Sequence, residues 1–429
     1  MFWPIFSVSL AITIGSGAFL GAALGLTGLL LLHFAAGGAT SLAMDAVWNT
    51  ATDFTVSAIP LFIIMGDVLK AGGISSRIYR SLSPLFSKIP GGLLHTNIAV
   101  CTVFGAVCGT SMTTAAAVGS VAYPELTGRG YDKSMVAGSL AGGGTLGLLI
   151  PPSVSLLLFG ALTETSIGRL FLAGILPGLA MAIGFMVYIF IHCKIRSDLV
   201  PVETESVSWG VILLNVLKVW PLAFLIVAVM GSILMGFATP TEAAAVGAFA
   251  SIIMGFLWGD LKWITLWQTF KNTVQTWGAL GFVFIGALIL GQAVAILGVP
   301  QSLLEIIQQS EMAGWQIVLV IAVMYVVLGA FFDGLSMMIM TLGIVFPLLT
   351  GFGFDPVWIG VFLTLMIEIG MITPPVGLNL FVLMAVINRE VSMNKMARAS
   401  IPYWLILLGG VALLLLVPQI TQILPDLLM

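Results

Sequence analysis

Two patches of hydroxyl and carboxylate residues interrupt otherwise apolar sequence, and a double proline follows each. The first patch is Cys108-Gly109-Thr110-Ser111-Met112-Thr113-Thr114, upstream of Pro151-Pro152; the second is Phe332-Asp333-Gly334-Leu335-Ser336, upstream of Pro374-Pro375. Na⁺ is a hard monovalent cation satisfied by several neutral oxygens, which unwound backbone carbonyls and Ser/Thr hydroxyls supply. The candidate Na⁺ ligands are therefore Gly109, Thr110, Ser111, Thr113 and Thr114 in the first patch, Asp333, Gly334, Ser336 and Thr341 in and after the second, and Gly370. The candidate substrate-binding residues surround the prolines: Thr145, Pro151, Pro152 and Ser153, with Glu368, Thr373, Pro374, Pro375 and Asn379. Half-helix N-termini directed into a shared cavity favour an anionic group such as a carboxylate. Asp333 and Glu368 carry extra weight, because an ionisable side chain within a membrane segment marks function by default. The apolar segments hold no nucleophile and base pair, His/Glu/Asp cluster or metal-ligand spacing, so no catalytic residue is assigned and no cofactor beyond the coupling ion is expected.

The elements that must hold these residues occur twice. Residues 104–152 recur as residues 327–375: at a constant offset of 223 positions, Pro124 falls on Pro347, Gly128 on Gly351, Gly130 on Gly353, Asp132 on Asp355, Gly147 on Gly370, and Pro151-Pro152 on Pro374-Pro375. A gapless register over that length implies a duplicated unit. Proline removes a backbone donor and disturbs the helix upstream, and a break at membrane depth is tolerated only where the freed groups line a protein-enclosed cavity. Paired breaks in corresponding halves point to the binding site of a secondary transporter.

Composition sets the class. The chain is 59% hydrophobic and 8% charged, with mean hydropathy +1.15 across 429 residues, whereas soluble domains carry about 25% charge. It reads as an all-α polytopic protein of the lipid bilayer, and its net charge of −3 suggests no nucleic-acid partner. Cys101, Cys108 and Cys193 lack disulfide or zinc spacing and read as packing residues. The N-terminus has no basic region before its apolar run, which reads as a retained span rather than a cleaved signal. His95 reads as a polar packing residue, and Glu242 as structural near an interface. Gly142-Gly143-Gly144 favours close helix packing over phosphate binding, since no Lys follows as in a P-loop.

Charge placement orders the segments. The first repeat, 1–210, holds two short helices before residue 35, a helix over 51–71, an amphipathic basic interfacial helix at 74–90, a re-entrant hairpin at 91–127, and a span at 134–160 broken by Pro-Pro at 147–152. A span at 169–191 then leads to a polar loop at 197–209, placed in the cytoplasm. The second repeat, 211–429, holds helices near 211–231 and 239–258, a connector with Lys262 and Lys271, and a helix near 276–298. An interfacial helix at 300–314, a hairpin at 315–350, a span at 357–386 broken at 370–375, and a last span at 401–424 complete it. Arg77, Arg80, Lys88, Arg129 and Lys133 decorate the first copy, whereas the matching segments carry Glu305 and Glu311 and the base-free TGFGFDP. The positive-inside rule therefore orients the copies oppositely, as an inverted-topology repeat with ten spanning helices, two re-entrant hairpins and two interfacial helices.

The segments AIPLFIIMGDVLKAGGI, FGAVCGTSMTTAAAVG, GLLIPPS, IGRLFLAGILPGL, FATPTEAAAVG, FFDGLSMMIMT and GMITPPVGLNLF, in that order, resemble the large membrane subunit of tripartite ATP-independent periplasmic (TRAP) transporters. The resemblance covers nearly the whole chain. It implies Na⁺-driven, elevator-type uptake of an organic acid, such as a C4-dicarboxylate or a sialic acid, across a bacterial inner membrane. It also implies a periplasmic substrate-binding protein and a small four-helix membrane subunit, expected here as a separate polypeptide. A stand-alone Na⁺/carboxylate symporter of similar hairpin architecture is the alternative, and a membrane-embedded enzyme a more remote one.

Overall fold

The structure, a computed structural model, describes residues 2–196, 200–201, 209–310 and 312–429. Every regular element among them is helical. The first half comprises α1 (Phe2–Gly15), α2 (Leu20–Phe34), α3 (Ser41–Ala51), α4 (Ala58–Ala71), α5 (Ile74–Phe86), α6 (Leu93–Cys108), α7 (Ser111–Gly128), α8 (Lys133–Leu149), α9 (Val154–Thr163) and α10 (Ile167–Ile195). The second comprises α11 (Trp209–Leu217), α12 (Trp220–Leu234), α13 (Pro240–Leu257), α14 (Trp263–Ile296), α15 (Val299–Gln309), α16 (Gly314–Gly329), α17 (Gly334–Gly351), α18 (Pro356–Met371), α19 (Leu378–Val386), α20 (Met393–Leu416) and α21 (Ile423–Leu428).

The expected hairpins are α6/α7 and α16/α17. Their second arms, α7 and α17, are 18 residues each, begin and end 223 positions apart, and carry Pro124 and Pro347 inside. Their first arms are 16 residues each, about 24 Å of helix at 1.5 Å per residue, too short for a hydrocarbon core about 30 Å thick. The double prolines split α8 from α9 and α18 from α19, and both Pro-Pro bonds are cis. Among the described residues, seven stretches are long and apolar enough to cross a membrane, the broken α8/α9 pair counting as one.

Several boundaries differ from expectation. The helix expected near 211–231 is two helices, because Pro221 suits the first turn of a new helix rather than the interior of a continuing one. Lys262 and Lys271 were expected together in a connector, yet Lys271 lies inside the 34-residue α14 with its ammonium 5.5 Å from the Trp267 ring centroid. A long apolar stem lets such a lysine stay helical at an interface. The interfacial helices end early, at Phe86 and Gln309, and α3 forms where no element was expected. Most of the polar run 197–209, and Glu311, lie outside the described residues.

Small residues let these helices pack closely. A Cβ on Gly142 would stand 2.4 Å from the Tyr403 ring of α20, one on Gly143 3.1 Å from Cys101 Sγ of α6, and one on Gly144 2.7 Å from Ala115 Cβ of α7. The glycine triplet thus seats α8 against three helices at once. His95 is buried with its Nε2 2.9 Å from the Pro90 carbonyl, and the three cysteines are buried and free.

Polar contacts gather the loops into two groups. Lys133 pairs with Glu390 at 2.7 Å, and Arg77 with Asp260 at 3.2 Å, joining the basic ends of the first hairpin and α5 to loops of the second half. Elsewhere Arg169 pairs with Asp426 at 2.9 Å, and Thr241 donates to the Phe54 carbonyl at 3.0 Å. Thr163 shares a cavity with Asn49 and with Pro347 of the second hairpin. Glu242 forms a capping box with Thr239 at the start of α13, which agrees with its structural reading.

Candidate functional site

The two halves meet at Glu368. This residue of α18 is fully buried. Its carboxylate accepts from Ser111 Oγ, 2.6 Å to Oε1 and 2.7 Å to Oε2, and from the Leu148 N–H at 3.2 Å. Ser111 opens α7 directly after the first hairpin tip, and Leu148 lies in the last turn of α8. The start of a helix offers unpaired N–H groups and the positive end of its dipole, so it stabilises an anion. No Lys, Arg or His forms an ion pair with Glu368 among the described residues. A carboxylate buried in this way requires a compensating cation or proton.

The second tip solves the same problem locally. Asp333 is the N-cap of α17 and accepts from the Ser336 N–H at 3.1 Å. Under the 223-position offset, Thr110 stands where Asp333 does and Thr145 where Glu368 does. Thr110 gives α7 no side-chain cap. The second repeat therefore supplies both carboxylates, and Glu368 reaches across to the helix start in the first.

Each tip also bonds to its own break. Val154 N–H donates to the Gly109 carbonyl at 3.2 Å, and Val376 N–H to the Ala330 carbonyl at 3.3 Å. Glycines permit this approach: a Cβ on Gly105 would stand 2.7 Å from Gly147 Cα, and one on Gly329 2.5 Å from Gly370 Cα. At the first break Ser153 Oγ donates to the Leu148 carbonyl and lies 3.0 Å from Ser155 Oγ, which in turn lies 3.2 Å from Thr364 Oγ1. At the second, Thr373 Oγ1 donates to the Ile369 carbonyl at 2.6 Å and accepts from Trp404 Nε1 at 2.9 Å.

Gly109, Ser111, Pro151, Pro152 and Ser153 lie buried around the first break, beside Glu368. Thr110 is half-buried, and its Oγ1 is shielded without a hydrogen-bond partner. Thr114 and Thr145 donate to the Thr110 and Gly142 carbonyls of their own helices, and Thr113 is half-buried. Gly334 packs on Ile367, Ser336 is buried, and Gly370 lies against Gly329. Thr341 is away from the tip: it lies two turns along α17, where its hydroxyl meets Tyr325 Oη at 2.5 Å and clamps the hairpin arms. Asn379 is fully buried on α19, and neither amide atom has a hydrogen-bond partner. Pro374 and Pro375 are exposed to a cavity of about 770 Å³ that Arg398 and Trp404 also line.

Ser155, Thr364 and Trp404 escaped the sequence reading. Thr364 was findable, because it lies four residues before Glu368 on the same face of α18. Ser155 follows Ser153 by two, but nothing local aims it at Thr364. Trp404 carries no sequence signal of its contact with Thr373.

Residues 7–420 match the family described as "Tripartite ATP-independent periplasmic transporter, DctM component". The chain is 32% identical over 406 residues to the C4-dicarboxylate TRAP transporter large permease protein DctM of Pseudomonas aeruginosa, covering 94% of this chain and 93% of that one. It is 31% identical to the ectoine TRAP transporter large permease protein TeaC of Halomonas elongata, covering 86% of each. It is 30% identical to the sialic acid TRAP transporter large permease protein SiaM of Vibrio cholerae, covering 87% of each. Among solved structures, the YdaH transporter of Alcanivorax borkumensis has a similar fold, with a TM-score of 0.65, 15% identity and 89% of each chain covered. These relatives are membrane permeases rather than enzymes. The fold, its paired hairpins and breaks, and the near full-length match together make this chain a member of the DctM family, the large permease component of tripartite ATP-independent periplasmic transporters.

Proposed function

We propose that this permease uses a Na⁺ gradient to drive uptake of a small organic acid across a bacterial inner membrane, by an elevator movement. The acid is delivered by a periplasmic binding protein, and a small membrane subunit completes the complex. Glu368 carries the reading: a buried carboxylate without a cationic side-chain partner, at the start of the first hairpin's second arm, suits a site completed by a mobile cation. The buried amide of Asn379, four residues after the second double proline, and the shielded hydroxyl of Thr110 at the first tip are further polar groups that a ligand could use. The DctM, TeaC and SiaM names favour small polar organic molecules as the substrate class.

Proteoliposomes test this directly. Uptake of the acid is expected only with an imposed Na⁺ gradient and the cognate binding protein, its acid first identified by a thermal-shift screen. Uptake without the binding protein selects the stand-alone symporter instead, and uptake indifferent to Na⁺ rejects the coupling.

The same reading orients the two repeats oppositely. The pairs Lys133–Glu390 and Arg77–Asp260 at one set of loops, and the cavity shared by Thr163 and Pro347 at the other, favour it. Cysteines at Arg129 and Gly353 should react from opposite sides with an impermeant thiol reagent. Equal labelling removes the inverted repeat.

A further inference from the structure

The cavity beside the second double proline has a donor problem that Arg398 and Asn394, on one face of α20, resolve. One wall is Pro374 and Pro375; the other is a face of α20 carrying Asn394, Arg398, Ile401 and Trp404 at helical spacing. An anion needs hydrogen-bond donors, and prolines have no N–H to give. The Trp404 N–H is already given to Thr373, the Thr373 hydroxyl to the Ile369 carbonyl, and the Ser400 hydroxyl to the Met396 carbonyl. Among the described residues, Arg398 is the only charged one lining the cavity, and it forms no ion pair. Its planar fork matches a carboxylate through two parallel N–H···O bonds. The cavity, about 770 Å³, is in the size range of small-molecule sites.

We infer that Arg398, with Asn394 one turn before it, is the anion-recognition point of this permease, gripping a carboxylate of the organic acid as it passes the second break while Ile401 and Trp404 cover its apolar body. The inference rests on the organic-acid reading above and adds to it the group that reads the charge.

The test uses the full-length protein in phosphatidylcholine vesicles, so that no anionic lipid competes. Ile401→Cys is labelled with an anionic and a cationic methanethiosulfonate of similar size, alone and combined with R398Q or R398K; the parent, whose native cysteines are buried, is the background control. A unit charge about 6 Å away in water changes the local concentration of a monovalent ion roughly threefold, so the anionic-to-cationic rate ratio is expected to fall about tenfold in R398Q and to hold in R398K. Na⁺-driven uptake should fall in R398Q at unchanged half-saturating Na⁺, with partial rescue in R398K. An unchanged labelling ratio in R398Q, or uptake by R398Q at the parent rate, overturns the assignment. Failure of the parent itself to take up any acid counts against the carrier reading, and the labelling ratio then decides Arg398 separately.

Discussion

The two double-proline breaks share a sequence device and stand in opposite surroundings. At the first, Pro151 and Pro152 are buried, α10 closes over the preceding backbone, and the freed Leu148 carbonyl is met by Ser153 and Ser155. At the second, Pro374 and Pro375 face an open cavity, and the Thr373 hydroxyl ties the segment to α20 through Trp404. The difference follows from which polar groups each repeat carries. The second repeat keeps Asp333 and Glu368 where the first has Thr110 and Thr145, and it lends one of these carboxylates to the first break. A duplicated backbone thus holds one break closed and one open at the same time. Sequence symmetry alone would not produce that asymmetry.

The contrast can be broken most strongly at Glu368. Glu368→Ala leaves the Ser111 hydroxyl and the Leu148 N–H without their shared acceptor, and hydrogen bonds to a charged group contribute about 1.5–3 kcal/mol each, so uptake is expected to drop on the order of 100-fold. Glu368→Gln, which keeps the shape and one acceptor oxygen, should lose less. Undiminished initial rates in the Ala variant would show that the closed break does not depend on the borrowed carboxylate.

Steric opening of the first break comes next. A Cβ on Gly174 of α10 would stand 2.6 Å from the Leu149 carbonyl oxygen, whereas one on Gly409 of α20 meets nothing within 4 Å. Overpacking costs about 1–3 kcal/mol, so Gly174→Ala should lower the melting temperature and slow uptake, with Gly409→Ala as the silent control. Equal melting temperatures for the two variants would mean that α10 yields freely and the closure is loose.

The smallest effect is expected at the second break. Trp404→Phe keeps the ring and removes one hydrogen bond to Thr373, worth about 1 kcal/mol, or roughly fivefold in a rate or equilibrium. The readout is the reactivity of Ile372→Cys, next to Thr373 on the same cavity wall, toward a soluble thiol reagent against that of the same cysteine in the Trp404→Phe background. A decrease, rather than a modest increase, would mean that Trp404 props the cavity open instead of pinning its wall.

Much of this architecture follows from local rules that need no tertiary information. Apolar runs, prolines and a repeated spacing act through the chain nearby, so the class, both hairpins, both breaks and the paired arms of α7 and α17 were legible in residue types alone. The site itself was only half legible. Ser111 and Glu368 were each identifiable, one by its hydroxyl at a break and the other as a charge in an apolar helix, but their bond joins residues 257 positions apart. Nothing in the spacing of either could pair them. Asp333 turned inward to cap its own helix, and Thr341 turned to Tyr325, because a polar side chain takes the nearest geometrically suitable partner once packing sets the neighbours. Which break is enclosed was partly local, since Ser153 follows the first double proline where Val376 follows the second, but the α10 and α20 surfaces laid against the two breaks were set by helix packing between distant segments.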